Sequence, residues 1–208
     1  MHENELLDVY NANTLDEQKK AYDNWADNYE RDLFAMGYRL PGIIAAVFTR
    51  FVNVDAGPIL DAGCGGGVQA EPLALLGYKN ITGIDLSVGM LEIAKQKNLY
   101  AELRQMTLGD HLDFPDNTFS AVISAGTITP GHAPPETFDE LVRVTKKDAL
   151  IVFSLRVDDD QEPAYPAYIK QLESSGQWSN IFSTPDFHTM PYGEPTVRNC
   201  VHVYQVTT

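Results

Sequence analysis

From Ile59 to Val68 the chain reads ILDAGCGGGV, an apolar pair running into Asp61 and then Gly63, Gly65 and Gly67. A strand that turns sharply into a helix at the carboxyl edge of a sheet needs glycine, which accepts positive φ and lets a ligand rest on bare main chain. The spacing is GxGxG, with Val68 where a dinucleotide-binding turn, GxGxxG, carries its third glycine. A carboxylate at Asp61 would repel a pyrophosphate there and attract the ammonium of an amino-acid moiety, directly or through water. Eighteen residues beyond Gly67, Asp85 closes the next apolar run, in a place from which it can accept hydrogen bonds from both hydroxyls of a ribose. After the third run come Gly109, Asp110 and His111, where an acid can take the exocyclic amine of adenine and a backbone N–H a ring nitrogen; His111 reads equally well as a solvated loop residue. Three successive strand ends thus describe an amino acid, a ribose and an adenine.

A fourth candidate is His132, in the segment TITPGHAPPE after the fourth apolar run. An acceptor hydroxyl or amine must lose its proton around the time it attacks, and imidazole has a suitable range for taking it. The plain alternative is a loop histidine with nothing beside it. Ser87 reads as a helix cap, Tyr22 and Trp25 as packing aromatics, and the acidic segment 157–163 as a solvated connector.

These residues need a sheet to hold them. Short apolar runs at 59–62, 81–84, 102–108, 120–124 and 150–155 predict strands, and helical patterns over 68–76, 87–97, 136–145 and 165–175 alternate with them. That alternation predicts an α/β fold of the doubly wound, Rossmann-like kind. The pattern implies a mostly parallel, seven-stranded sheet with an antiparallel last strand, Val201, Val203 and Val206 finishing a hairpin at the sheet edge. Before the sheet, Thr14 and Glu17 have capping-box spacing, and Leu15, Tyr22, Trp25, Ala26 and Tyr29 share a helical face. Pro41 can begin a second helix bearing Ile43, Ile44, Val47, Phe48 and Phe51. The expected organisation is a single domain over 1–208, with an N-terminal helical cap over 1–55 and a Rossmann-like core over 56–208.

With 29 acidic against 15 basic residues, the net charge of −14 repels phosphate backbones and anionic lipid, so nucleic acid is not an expected partner. No apolar stretch reaches the roughly 18 residues of a spanning helix, and the acidic start lacks the pattern of a secretory signal. Cys64 and Cys200 are too few and too far apart for a disulfide scaffold, and neither lies in a zinc-spaced cluster. The expectation is a cytoplasmic protein without a membrane partner or a structural metal.

The motifs LDAGCGGG from Leu60, GIDLSVGML from Gly83 and LDFPDNTFSAVIS from Leu112 resemble, in order, those of the class I S-adenosylmethionine-dependent methyltransferases. The likeness runs from about Tyr22 to Leu155, and the stretches 22–41 and 131–156 look like one methyltransferase-like subgroup. It implies in-line methyl transfer from S-adenosyl-L-methionine to a small molecule or a protein side chain. It also implies that Asp61, Gly63, Cys64 and Gly65 line the methionine part and that Asp85 and Leu86 hold ribose and adenine. Asp110 and His111 would stand at the adenine edge, Ser124, Ala125 and Gly126 under the sulfonium, and Tyr29 over the cofactor. Lys147, Asp148 and Ala149 stand where relatives often have Pro-Gly-Gly, and Ser120 where they often have Asp. Two rivals remain at this stage: a cofactor-binding scaffold or sensor without turnover, and an NAD-dependent oxidoreductase, which Val68 disfavours.

Overall fold

A computed structural model describes residues 3–12, 14–158 and 162–208, so the acidic connector 157–163 lies partly outside the described residues. Three helices precede the sheet: α1 (Glu3–Tyr10), α2 (Leu15–Ala35) and α3 (Leu40–Phe51). The Thr14 side chain accepts from Glu17 N at 3.2 Å, and Asp16 and Glu17 place negative charge in the first turn, where unpaired N–H groups favour it. α3 carries Pro41 in its first turn, where a missing N–H costs nothing.

The core alternates β1 (Ile59–Ala62), α4 (Ala70–Leu75), β2 (Ile81–Asp85), α5 (Val88–Gln96), β3 (Glu102–Gln105) and β4 (Phe119–Ser124). It continues with α6 (Thr137–Val144), β5 (Thr145–Arg156), α7 (Ala164–Ser174), β6 (Trp178–Ser183), β7 (Phe187–Met190) and β8 (Glu194–Val206). The strand order is β3-β2-β1-β4-β5-β8-β6, with β7 paired to β8 off that path. β1 to β5 run parallel, and β8 pairs antiparallel with β5, β6 and β7. The sheet is therefore the expected mixed Rossmann-like one, with eight strands among the described residues in place of the expected seven because β7 adds to β8 beside the main path.

Period-two alternation divides the strands between two buried layers. Leu60, Ala62, Ile84, Val122, Ile151 and Phe153 pack with Phe138 and Leu141 of α6 and Ile169 and Leu172 of α7. Ile59, Ile81, Ala121, Ile123 and Val152 pack on the other side with Ile44 and Phe48 of α3 and Leu73 of α4. Here one expectation is corrected: β8 is not at the edge but between β5 and β6. Val201 and Val203 belong to the α3 side and Tyr204 and Val206 to the α6–α7 side, so both faces of the strand are covered. A strand buried on both faces belongs inside a sheet.

Asp148 takes φ 64, the left-handed conformation that glycine would supply, in the first part of β5 where its register against β4 shifts. α1, for which the pattern held no expectation, packs with α2 and the β7–β8 hairpin. Val9, Trp25, Leu33 and Met36 meet Met190 and Val197 in a third apolar cluster, which ties the two ends of the chain together.

Candidate functional site

The bend after β1 is closed by two donors, Gly63 N and Cys64 N, both bonded to Ile84 O at 2.9 Å. Two glycines in it are required for different reasons. A Cβ on Gly63 would lie 2.4 Å from the Thr127 side chain, whereas one on Gly65 would meet nothing within 4 Å. Gly63 thus makes room for protein, and Gly65, at φ 51, leaves a cradle open to a ligand.

Asp85, at the end of β2, accepts from Gly65 N through Oδ2 at 2.8 Å and from Ser87 N through Oδ1 at 2.9 Å. Burial pushes this carboxyl above its ordinary range, and the backbone donors pull it back. Each carboxylate oxygen has two lone-pair directions, so both retain one for an incoming pair of hydroxyls.

Asp61 is placed differently from what the sequence suggests. It is fully buried beneath the glycine turn, with Oδ1 accepting from Gln69 Nε2 at 2.9 Å and Oδ2 from the Tyr100 hydroxyl at 2.7 Å. Burial raises its pKa to about 7 against those two bonds. The carboxylate is not on the cavity wall, so a direct ammonium contact gives way to support of the turn from below; Gln69 Nε2 also reaches Cys64 O at 3.3 Å.

A cavity opens over this turn, at the switch point between β1 and β4. Tyr29, Gly63, Cys64, Gly65, Asp85, Leu86, Ala125, Gly126 and His132 line it. Ser124 lies underneath, its hydroxyl donating to Ala62 O at 2.8 Å and joining β4 to β1. Asp110 and His111 are not brought to it: both are exposed, and His111 Nδ1 sits 3.1 Å from Glu140 Oε2. β3 ends at Gln105, short of the expected 108, so the strand-end position passes to Met106, Thr107 and Leu108, which do line the wall. Cys64 is buried and its thiol pushed up by burial, as suits a packing residue.

The roof is α2. Gln18, Tyr22 and Tyr29 share its lower face and line the cavity. Three links hold it down: Gln18 Nε2 donates to Gly131 O, Asp23 Oδ1 accepts from Ser87 Oγ at 2.5 Å and Gly89 N at 2.9 Å, and Glu30 pairs with Lys97. The helical period exposed this face in the sequence, but Tyr22 there resembles any packing aromatic.

A second chamber shares Tyr22, Tyr29, Tyr38, Gly126 and His132 with the first. Its far wall comes from α1, β5 and the β7–β8 hairpin, through residues such as Val9, Ser154, Met190 and Asn199. His132 therefore stands at the junction. Its Nδ1 lies 3.4 Å from Pro130 O, its ring centroid is 5.8 Å from that of Tyr22, and burial lowers its pKa. A proton on Nδ1 leaves Nε2 as the lone-pair atom.

An open α/β sheet with a bare glycine cradle at its switch point and an acid on the adjacent strand end defines a nucleoside-binding protein. The family described as "Methyltransferase domain" matches residues 60–153. The human methyltransferase-like protein 27 is 34% identical over 173 residues, covering 79% of this chain and 69% of its own. A phosphatidylethanolamine N-methyltransferase from Cereibacter sphaeroides is 30% identical over 141 residues, 64% of this chain and 68% of that one. Among solved structures, a TehB-like SAM-dependent methyltransferase from Corynebacterium glutamicum shares the fold, with TM-score 0.66 at 22% identity over 90% of this chain and 99% of that one. The chain belongs to the S-adenosylmethionine-dependent methyltransferases, in keeping with the likeness read from its motifs. Its cofactor is S-adenosylmethionine, and the family implies a methyl acceptor. The cavity fits that cofactor on its own chemistry: an unfilled cradle at Gly65, two spare acceptor directions on Asp85, and apolar walls at Met90 and Leu108. Among the described residues, no helix is long and apolar enough to cross a membrane.

Proposed function

We propose that the enzyme methylates a small molecule held in the second chamber, with the first cavity given over to the cofactor. The supporting observation is the shared wall: Tyr22, Tyr29, Tyr38, Gly126 and His132 border both spaces, so two ligands would meet there. A protein side chain as acceptor is the second reading, and the concave walls that α1, α2 and the hairpin raise around the space favour the small molecule over it.

In this reading Asp85 holds the ribose hydroxyls, while Gly63, Cys64 and Gly65 present main chain to the amino-acid end. Leu86, Met90 and Met106 to Leu108 take the base, Ala125 and Gly126 floor the sulfur, and Tyr29 covers it. When bound, S-adenosylmethionine supplies an electrophilic methyl group on positively charged sulfur. The chain's contribution is then largely orientation, which can lower the barrier by ~7–11 kcal/mol. His132, whose lowered pKa keeps it neutral near pH 7, is placed to take a proton from the acceptor.

Calorimetric titration tests the assignment. S-adenosylmethionine is expected to bind the wild type, with Asp85→Ala weakening it by about tenfold or more, ~1.4 kcal/mol. Unchanged affinity in that variant removes Asp85 from the ribose site, and binding of NAD in place of S-adenosylmethionine overturns the whole reading. Tight cofactor binding with no turnover on any acceptor points to a scaffold.

A further inference from the structure

We infer that the second chamber is built for a neutral aromatic hydroxyl compound, a phenol-type acceptor, and not for an ammonium. This rests on the reading of that chamber as the acceptor site. Five aromatic side chains line it: Tyr10, Tyr22, Trp25, Tyr29 and Tyr38. Two of their contacts are edge-to-face, Tyr22 on Tyr29 at 6.1 Å and Trp25 on Tyr29 at 4.8 Å between centroids, so the rings form one packed aromatic wall that a further flat ring can contact.

Charge decides against an amine. Among the described residues no carboxylate lines the chamber, and the one fully charged side chain on its wall is a cation, Arg156, bonded through Nε to Asp158. An alkylammonium entering would give up hydration without gaining an anionic partner. Asp32, buried on α2, is engaged by Trp25 Nε1 at 3.1 Å and by Arg31. The tyrosine faces give a cation some attraction, but the same wall carries the guanidinium that already disfavours protonation of His132.

A phenol needs only what is present. Its proton passes from oxygen to His132 Nε2. The oxygen lone pair forms the new O–C bond to the transferred methyl, and the electron pair of the broken S–C bond stays on sulfur, leaving a neutral thioether. His132 then releases the proton to solvent. Tyr22, Tyr29 and Tyr38 are held as neutral O–H groups by burial and border the junction, where they can donate to the oxygen as its charge develops. A phenolic hydroxyl, near 10 in ordinary pKa, lies within reach of an imidazole, whereas an aliphatic alcohol does not. The titratable or charged groups that line the chamber with His132 are Tyr10 of α1, Tyr22 and Tyr29 of α2, Tyr38, and Arg156 of β5; behind that wall Glu194 accepts from the Tyr10 hydroxyl and Asp158 pairs with Arg156.

The test is methyl transfer from labelled S-adenosylmethionine to a matched panel of naphthol, benzylamine, benzyl thiol and a benzyl alcohol, with products identified by mass spectrometry. The expected product is the naphthyl methyl ether, formed with a rate that rises with pH and levels off from a midpoint below the ordinary histidine value of 6.5. His132→Asn should lower kcat by ~10²-fold or more and recover most of the loss with the more acidic nitrophenol. Preferred methylation of the amine, the thiol or the alcohol, or tight S-adenosylhomocysteine binding with no ether formed, overturns the inference while the cofactor assignment stands. Thr129→Phe, at a half-buried position of the chamber wall outside the apolar cluster that ties the chain ends, narrows the chamber and separates the two claims. Ether formation that persists in it, with cofactor affinity intact, moves the acceptor site elsewhere and ends the chamber reading itself.

Discussion

Asp61 carries a titration with a consequence for stability. Its carboxyl is near 3.8 when the chain is unfolded and about 7 when buried under the glycine turn, so between those values the folded protein holds a proton that the unfolded chain has released. Stability therefore falls as pH rises through that window, by up to roughly 4 kcal/mol at 1.36 kcal/mol per unit, and is level above it. Asp85, also raised, acts in the same direction. Asp61→Asn keeps an acceptor for Gln69 and turns the bond with Tyr100 around, its amide donating to the phenol oxygen. The expected outcome is a flatter melting profile from pH 5 to 8 and a higher melting temperature at pH 8; thermal melts that track the wild type at both ends contradict it. The glycine turn and Asp85 were legible in the sequence because main-chain geometry at a strand end restricts which residues serve. The direction of the Asp61 side chain was not, since Tyr100, which claims one of its oxygens, is 39 residues away. Asp110 and His111 were misplaced by a smaller cause, a strand that stops at Gln105.

At the scale of elements, α2 is both a wall and a cover. Its cap and its apolar face are local features and could be read from spacing, whereas α1 and the β7–β8 hairpin gain their stability from one another across nearly the whole chain. The interior place of β8 was illegible for the same reason, because a hydrophobic pattern does not name its neighbours. Of the links that hold α2 over the cavity, Asp23 makes a double one, accepting from both Ser87 Oγ and Gly89 N. The approach is close: a Cβ on Gly89 would stand 3.0 Å from Asp23 Cα. Asp23→Ala leaves the Gly89 N–H without its acceptor, at a cost of about 1–3 kcal/mol if it stays buried. The helix is then expected to lift more often, with faster amide exchange in α2 than in β1 or β4 and S-adenosylhomocysteine affinity lower by roughly three- to tenfold. Exchange that accelerates equally throughout the protein indicates general destabilisation, not release of the cover.

For the molecule as a whole, the cavity walls are drawn from segments far apart in the chain, and a bound cofactor links them thermodynamically. The expectation against a polyanionic partner came from composition alone, since a charge of −14 acts at long range and needs no fold to be read. Folding cooperativity depends on the contacts. Val9 and Trp25 of the cap pack on Met190 and Val197 near the other end, so the cap over 1–55 and the core over 56–208 are expected to melt in one transition. A ligand that binds only the folded state at 100 times its Kd adds about 2.7 kcal/mol. For a chain of this length that raises Tm by roughly 5–10 °C. S-adenosylhomocysteine should produce that rise in the wild type with the transition still single. Gly65→Ala, which fills the open cradle, should retain a folded transition and lose most of the ligand-induced rise at the same ligand concentration. Calorimetry with two resolved transitions separates cap from core, and an undiminished shift in Gly65→Ala means that the cofactor does not lie on the turn.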